Sequence, residues 1–266
     1  MSGGSFWIIG CGNMAGAMLR RWIETGMGPA RFTVVDPAAP ASPAGVEVLA
    51  EIPDAVAPAA AILLGVKPQL LDSVGCDVAR LVGPDTRLIS ILAGVELATL
   101  RSRFPLAREI VRAMPNLPVA LGRGVVALCA NGGPIAEVSE LMAPLGLVEW
   151  IADESLLHLV AALASSGPAF LYRFIDTLGE AGARLGLDRD LSARLALATV
   201  EGSALLAARS GLPPAELADR VASKGGMTRE GLNVLDADEA LAKLMVETLA
   251  AALKRSVEMG EAAKPA

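Results

Sequence analysis

The stretch Phe6-Trp7-Ile8-Ile9-Gly10-Cys11-Gly12-Asn13-Met14-Ala15 decides the fold. Four apolar residues read as a buried strand and run straight into a Gly-x-Gly-x-x-Ala turn that opens a helix. Gly10 lets the strand end in a tight turn. Gly12 has no side chain, so its backbone can approach a pyrophosphate. Ala15 lets the helix lie close to the strand, and the helix N-terminus offers N–H groups and partial positive charge to phosphates. About twenty residues on, Phe32-Thr33-Val34-Val35 reads as a second strand and ends on Asp36. A carboxylate at that point can hold the two ribose hydroxyls of an adenosine. Strand, glycines, helix, second strand and acid in this order point to a nucleotide site.

Working outward, the first half alternates strands and helices. Apolar runs at Ala61-Ile62-Leu63-Leu64-Gly65-Val66, Leu88-Ile89-Ser90-Ile91-Leu92 and Glu109-Ile110-Val111-Arg112-Ala113 predict buried parallel strands. Val125-Val126-Ala127-Leu128 and Leu147-Val148-Glu149-Trp150 complete the expected sheet, with helices over 69–81 and 135–143. The run Pro37-Ala38-Ala39-Pro40-Ala41-Ser42-Pro43 is too rich in proline for a regular helix, so that crossover is expected to be short or irregular. From about Asp153 the strand pattern ends and helical periodicity takes over. Helices are expected over 156–185, broken at Ser165-Ser166-Gly167-Pro168, then over 191–209, 215–222, 228–235 and 239–259, with a frayed tail over 261–266. The expectation is an α/β chain. Residues 1–152 form a doubly wound Rossmann domain that binds a dinucleotide, and residues 153–266 form an all-α domain.

Composition narrows the class. The chain has 266 residues, 53% of them hydrophobic, and a net charge of −6. Without a basic run beyond pairs such as Arg20-Arg21, nucleic acid is not an expected partner. Uninterrupted apolar stretches such as Ala59 to Leu64 are too short to span a bilayer, and no basic and apolar leader opens the chain. A cytoplasmic protein without membrane contact is expected. Three scattered cysteines, Cys11, Cys76 and Cys129, have neither metal-ligand spacing nor a disulfide framework. No metal site, carboxylate pair or nucleophile triad is apparent. The single histidine, His158, is expected to be a surface or packed residue rather than a general acid, and the single tyrosine, Tyr172, to pack in the core.

Three polar motifs fall where this fold does chemistry. Val66-Lys67-Pro68 closes a buried strand, and Lys67 can face a cofactor or solvent. Arg112-Ala113-Met114-Pro115-Asn116-Leu117-Pro118 closes another. Asn116 can donate and accept, which suits a carboxamide. Ser223-Lys224-Gly225-Gly226-Met227-Thr228 precedes a short helix and can form an anion nest suited to a carboxylate, or a plain glycine and threonine cap.

At these residues the chain resembles the pyrroline-5-carboxylate reductases. The matches are Ile9-Gly10-Cys11-Gly12-Asn13-Met14-Ala15, Val66-Lys67-Pro68, Ala93-Gly94-Val95, residues 112–118, Ser166-Gly167-Pro168-Ala169-Phe170, and Gly225-Gly226 with Thr228, in family order over nearly the whole chain. The resemblance implies reduction of the cyclic imine 1-pyrroline-5-carboxylate to L-proline by NADH or NADPH. It implies a homodimer built by the helical domains, in some members assembled to a decamer. It implies cofactor contacts from Gly10, Gly12, Asn13, Met14, Ala15, Asp36, Val66, Lys67, Pro68, Ala93, Gly94 and Asn116. The substrate would lie on Ser223, Gly225, Gly226, Met227 and Thr228, with Thr228 meeting the ring nitrogen as the catalytic contact. Lys224 and Met227 depart from the family's Ser-Pro-Gly-Gly-Thr-Thr. An alternative is a reductase of another imine or keto acid, or an inactive nucleotide-binding oligomer. Between the cofactors NADH is expected, because Asp36 is followed by Pro37, Ala38, Ala39 and Pro40, with no cation to neutralise a 2′-phosphate.

Overall fold

The computed structural model describes residues 4–262. It contains β1 (Phe6–Ile9), α1 (Asn13–Glu24), β2 (Phe32–Val35), β3 (Glu47–Leu49), β4 (Ala61–Leu64), α2 (Leu71–Leu81), β5 (Arg87–Ser90) and α3 (Leu97–Arg103). Then follow β6 (Glu109–Pro115), β7 (Gly124–Cys129), α4 (Ala136–Met142), β8 (Gly146–Trp150) and α5 (Leu157–Val160). The remaining helices are α6 (Gly167–Arg184), α7 (Arg189–Ser210), α8 (Pro214–Val221), α9 (Met227–Asp236) and α10 (Ala240–Ala262).

The strands form one eight-stranded sheet in the order β3-β2-β1-β4-β5-β6-β7-β8. Chain order reverses between β1 and β4, the topological switch point at which ligands bind such sheets. Alternate residues of β1 enter different cores. Phe6 and Ile8 pack with Trp22, Phe32 and Leu141, while Trp7 and Ile9 pack with Leu64, Leu71 and Val78. Burial on both faces explains the continuous apolar runs. The rings of Phe6, Trp22 and Phe32 lie 5.4–5.9 Å apart, and Trp22 Nε1 donates to the Leu141 carbonyl at 2.7 Å. Aromatic pairs add about 0.5–1.5 kcal/mol each beyond their buried area. This cluster fixes α1 against β1 and β2, and so fixes the loop between them.

Two features depart from the expected parallel sheet. β6 and β7 are antiparallel, Arg112 facing Cys129 and Pro115 facing Val126. The eight residues between them are too few for a parallel crossover, which needs a dozen or more. β3 is a three-residue edge strand, parallel to β2, in the irregular stretch after the prolines.

Packing divides the chain into two compact units. The first runs through Ser166 and regains the chain from Ala252; the second is Gly167–Ala251. This division falls fourteen residues beyond the expected 152/153 boundary, because α5 and the turn after it stay in the first unit. The π-turn Ala161–Ser165 ends there, and Pro168 begins α6 without breaking it, since a first-turn proline forfeits no helical hydrogen bond. The last helix extends to Ala262, past the expected start of a frayed tail, and residues 263–266 lie outside those described.

In the second unit α6 and α7 pack through small residues. Ser192 Oγ donates to the Gly179 carbonyl at 2.7 Å, and Asp188 caps α7 by accepting from Leu191 N at 2.9 Å. Tyr172, expected in a core, is 59% exposed, with Leu171 and Phe174 exposed beside it. The apolar face of α6 is exposed among the described residues.

Candidate active site

The glycine turn is built as its residues require. Gly10 has φ +82° and donates to the Val35 carbonyl at 2.8 Å, while Gly65 N donates to the Ile9 carbonyl at 2.8 Å. A Cβ on Gly10 would lie 2.7 Å from Val66, so only glycine fits this left-handed turn. Gly12 caps α1, and a Cβ there would meet nothing within 4 Å, because it would project into an open groove. No side chain caps α1, so the N–H groups around Asn13 and Met14 are left for an anion. Ala15 is buried, packed where Gly65 leaves room for it.

Asp36 sits beside this turn. Its Oδ2 accepts from Cys11 N at 2.8 Å and its Oδ1 from Ala38 N at 2.9 Å. The acid therefore closes its own Asp-Pro turn and also holds the glycine loop. Burial, reinforced by the Asp36 charge, pushes the Cys11 thiol above its ordinary pKa. A cavity of about 450 Å³ opens here, bordered by Gly10, Gly12, Asp36 and Val66. Among the described residues that line it, Lys67 is the only lysine or arginine, against the carboxylates of Asp36, Glu51 and Asp77, the last paired with Arg80 at 3.1 Å. Glu51 and Asp77 were not legible as site residues, since Glu51 follows the unforeseen β3 and Asp77 reads as an ordinary exposed helix residue. Lys67 itself is exposed, and Pro68 starts the turn behind it.

Asn116 is buried, its Nδ2 donates to the Ala164 carbonyl at 2.9 Å, and its Oδ1 accepts from Val125 N at 2.8 Å. These two bonds tie the β6–β7 turn to the π-turn. In the turn that follows β5, Ala93 is exposed and Gly94 is buried with φ +77°. Ile91 in this loop lies beside Gly65, next to the groove. Arg112, only 3% exposed, is neutralised by Glu154, whose Oε1 also accepts from Leu97 N at 2.7 Å.

The second unit carries the other motif. Gly225 has φ +71°, and Gly226 N donates to the Ser223 carbonyl at 3.0 Å. Gly226 is the N-cap of α9 and no side chain caps it. Thr228 is therefore in the first turn, not a cap, and its hydroxyl has no partner among the described residues. The nest keeps free N–H groups at a helix start, a carboxylate-binding arrangement. Arg229, which the sequence did not single out, clamps this turn. Its guanidinium meets Asp219 at 2.7 Å and the Ala222 carbonyl at 3.4 Å. Met227 is 92% exposed, and Lys224 is exposed with no ion pair among the described residues.

A glycine turn at the switch point, an acid at the end of β2 and a helical unit with an anion nest define a Rossmann nucleotide-binding protein with a helical second unit. Residues 5–94 match a family described as NADP oxidoreductase coenzyme F420-dependent, and residues 154–259 match pyrroline-5-carboxylate reductase dimerisation. A pyrroline-5-carboxylate reductase of Pseudomonas aeruginosa is 33% identical over 262 residues, covering 95% of this chain and 96% of that protein. A solved pyrroline-5-carboxylate reductase of Coxiella burnetii superposes with a TM-score of 0.87 at 28% identity, covering 96% of this chain and 98% of that one. A Plasmodium falciparum pyrroline carboxylate reductase with NADP bound gives 0.83 at 26%, covering 98% and 99%. The chain belongs to the pyrroline-5-carboxylate reductase family.

Proposed function

We propose that the chain reduces 1-pyrroline-5-carboxylate to L-proline with a nicotinamide dinucleotide, NADH in preference to NADPH. The observation that carries this is the uncapped N-terminus of α9 after Gly225 and Gly226, beside an unpartnered Thr228 hydroxyl, in a chain that a family member matches over 95% of its length. The glycine-turn groove fits the adenosine and pyrophosphate of the cofactor, with open space at Gly12 and an acid at the ribose position. When bound, the dinucleotide supplies a hydride. Gly12, Asn13 and Met14 hold the phosphates by backbone N–H groups, and Asp36 holds the ribose. The nest N–H groups hold the substrate carboxylate, and Thr228 meets the ring nitrogen. A protonated imine carbon is already electrophilic, so positioning is the protein's main contribution.

Two carboxylates beside the groove, Asp36 and Glu51, support NADH, because a 2′-phosphate would add charge of the same sign. The dimerisation match and the exposed apolar helices support a homodimer, with further assembly to a decamer as an extension of it. Two stretches, Glu154–Arg184 and Arg189–Ser210, are long and apolar enough to cross a bilayer by length and composition alone. A second copy of the chain accounts for their exposed faces without a membrane. Free cysteines at positions 11, 76 and 129 accord with a reducing cytoplasm.

Lys224 and Met227, which depart from the family's loop, favour a second reading in which a different imine or keto acid is reduced in place of pyrroline-5-carboxylate. A spectrophotometric assay of NADH oxidation decides between them. Turnover with pyrroline-5-carboxylate, lowered at least about tenfold by Thr228→Ala with unchanged NADH affinity, supports the main reading. Turnover only with a different imine or keto acid supports the second.

A further inference from the structure

The end of α10 lies in the first compact unit and meets the Ala93-Gly94-Val95 loop backbone to backbone. A Cβ on Gly94 would lie 2.8 Å from Gly260 Cα and 3.2 Å from the carbonyl carbon of Met259. A Cβ on Gly260 would lie 2.9 Å from the His158 ring and 3.6 Å from the Gly94 carbonyl oxygen. Two glycines thus face each other with no side chain between them, and the imidazole closes the third side. The same ring shares a 3.0 Å hydrogen bond between its Nδ1 and Ser256 Oγ, one helical turn before Gly260. That bond fixes the axial position of the helix end. The far side of the loop is tied as well, through Leu97 N and Glu154.

A glycine loop at left-handed φ has many conformations open to it when unrestrained. Its neighbour in the sheet is β4, whose carboxyl end borders the dinucleotide groove, and Ile91 lies against Gly65 there. We propose that the last two turns of α10 are a positioning element of the cofactor site, with Gly260 and the His158–Ser256 bond holding the Gly94 loop in the shape that receives the nicotinamide end. The proposal rests on assigning that loop to the dinucleotide site. Gly260, His158 and Ser256 act through the loop and are positioning residues.

The test compares two ligands on the full-length protein by calorimetry. AMP probes the groove at Gly10 and Asp36, whereas NADH also needs the Gly94 loop. Gly260→Val should weaken NADH about tenfold and leave AMP unchanged, because a displacement of about 1 Å at a positioning contact costs that much or more. Ser256→Ala removes the hydrogen bond without adding bulk and should move NADH in the same direction by about two- to threefold. It carries the test if the valine variant does not fold. Equal losses for both ligands would show general destabilisation and overturn the proposal, as would unchanged NADH affinity in both variants. A wild-type protein that binds AMP but not NADH removes the cofactor assignment, and the proposal falls with it.

Discussion

Asp36 accepts the backbone N–H of Cys11 at 2.8 Å, so the acid that would hold a ribose also holds the glycine loop. Substitution therefore touches both charge and loop geometry. Asp36→Asn loses the charge and keeps one oxygen acceptor, enough for Cys11 N or Ala38 N but not for both. The expected wild-type result is a higher kcat/KM with NADH than with NADPH. The amide variant should narrow that gap about five- to tenfold, mainly through a lower KM for NADPH, as removal of one charge near a phosphate predicts. Asp36→Ser should narrow it too, with some loss for both cofactors because the Cys11 tether goes. Equal use of both cofactors by the wild type, or a preference for NADPH, would contradict the electrostatic argument.

Much of this was legible in the sequence. The glycine turn, both flanking strands, Asp36 and the helical second half all follow from local patterns that the fold uses directly. Gly10 is in the left-handed region and Ala15 is buried, as their positions in the motif require. What escaped has physical causes. The antiparallel β6–β7 pair depends on the length of a turn, and β3 is three residues long with an acid at its start, below the reach of alternation. The bonds from Asn116 to Ala164 and Val125 join residues separated in the chain, which sequence spacing does not show. Arg229 and Glu154 act through contacts with distant residues, which no spacing encodes.

Glu154 is the partner of a buried cation. Its Oε1 meets Arg112 Nη1 at 2.7 Å, and the arginine side chain is 3% exposed. Breaking such a pair on one side costs about 3–5 kcal/mol, because the remaining charge is left in a poor solvent. Glu154→Gln retains an oxygen acceptor, so a loss near 2–3 kcal/mol is expected on that scale. Urea denaturation measures it, and a change below about 0.5 kcal/mol would show that Arg112 finds water instead.

The thiols should differ in reactivity. Cys76 is exposed, whereas Cys11 and Cys129 are buried and their pKa values are raised, first by desolvation and then by Asp36 and Glu154 respectively. Iodoacetamide near neutral pH should modify Cys76 first. Linkage adds a sign. Below the ordinary thiol value of 9.0 both folded and unfolded chains keep these protons, so they give no pH dependence. Above it the unfolded chain releases them first, so stability falls with rising pH until the folded values are passed. Cys11→Ala and Cys129→Ala together should flatten that alkaline decline; an unchanged slope would assign it elsewhere.

The helical unit should bury its faces against a second copy. α7 has Ser192 and Ala196 as its only buried residues, yet Leu195, Leu197, Leu205 and Leu206 are exposed on it. A helix apolar on more than one side belongs inside a larger core, and an obligate dimer interface resembles a domain core cut in half. Light scattering at micromolar concentration should give a dimer or a multiple of it. A monomer would leave these leucines unexplained and remove the support for a dimeric enzyme.

Hydride transfer from the nicotinamide to the cyclic imine can be followed by incubating the protein with pyrroline-5-carboxylate and NADH deuterated at both C4 positions, and analysing the product by mass spectrometry. The expected product is L-proline carrying one deuterium at ring carbon C5, formed in step with NADH oxidation. Unlabelled proline, or no proline while wild-type protein binds NADH, would contradict it.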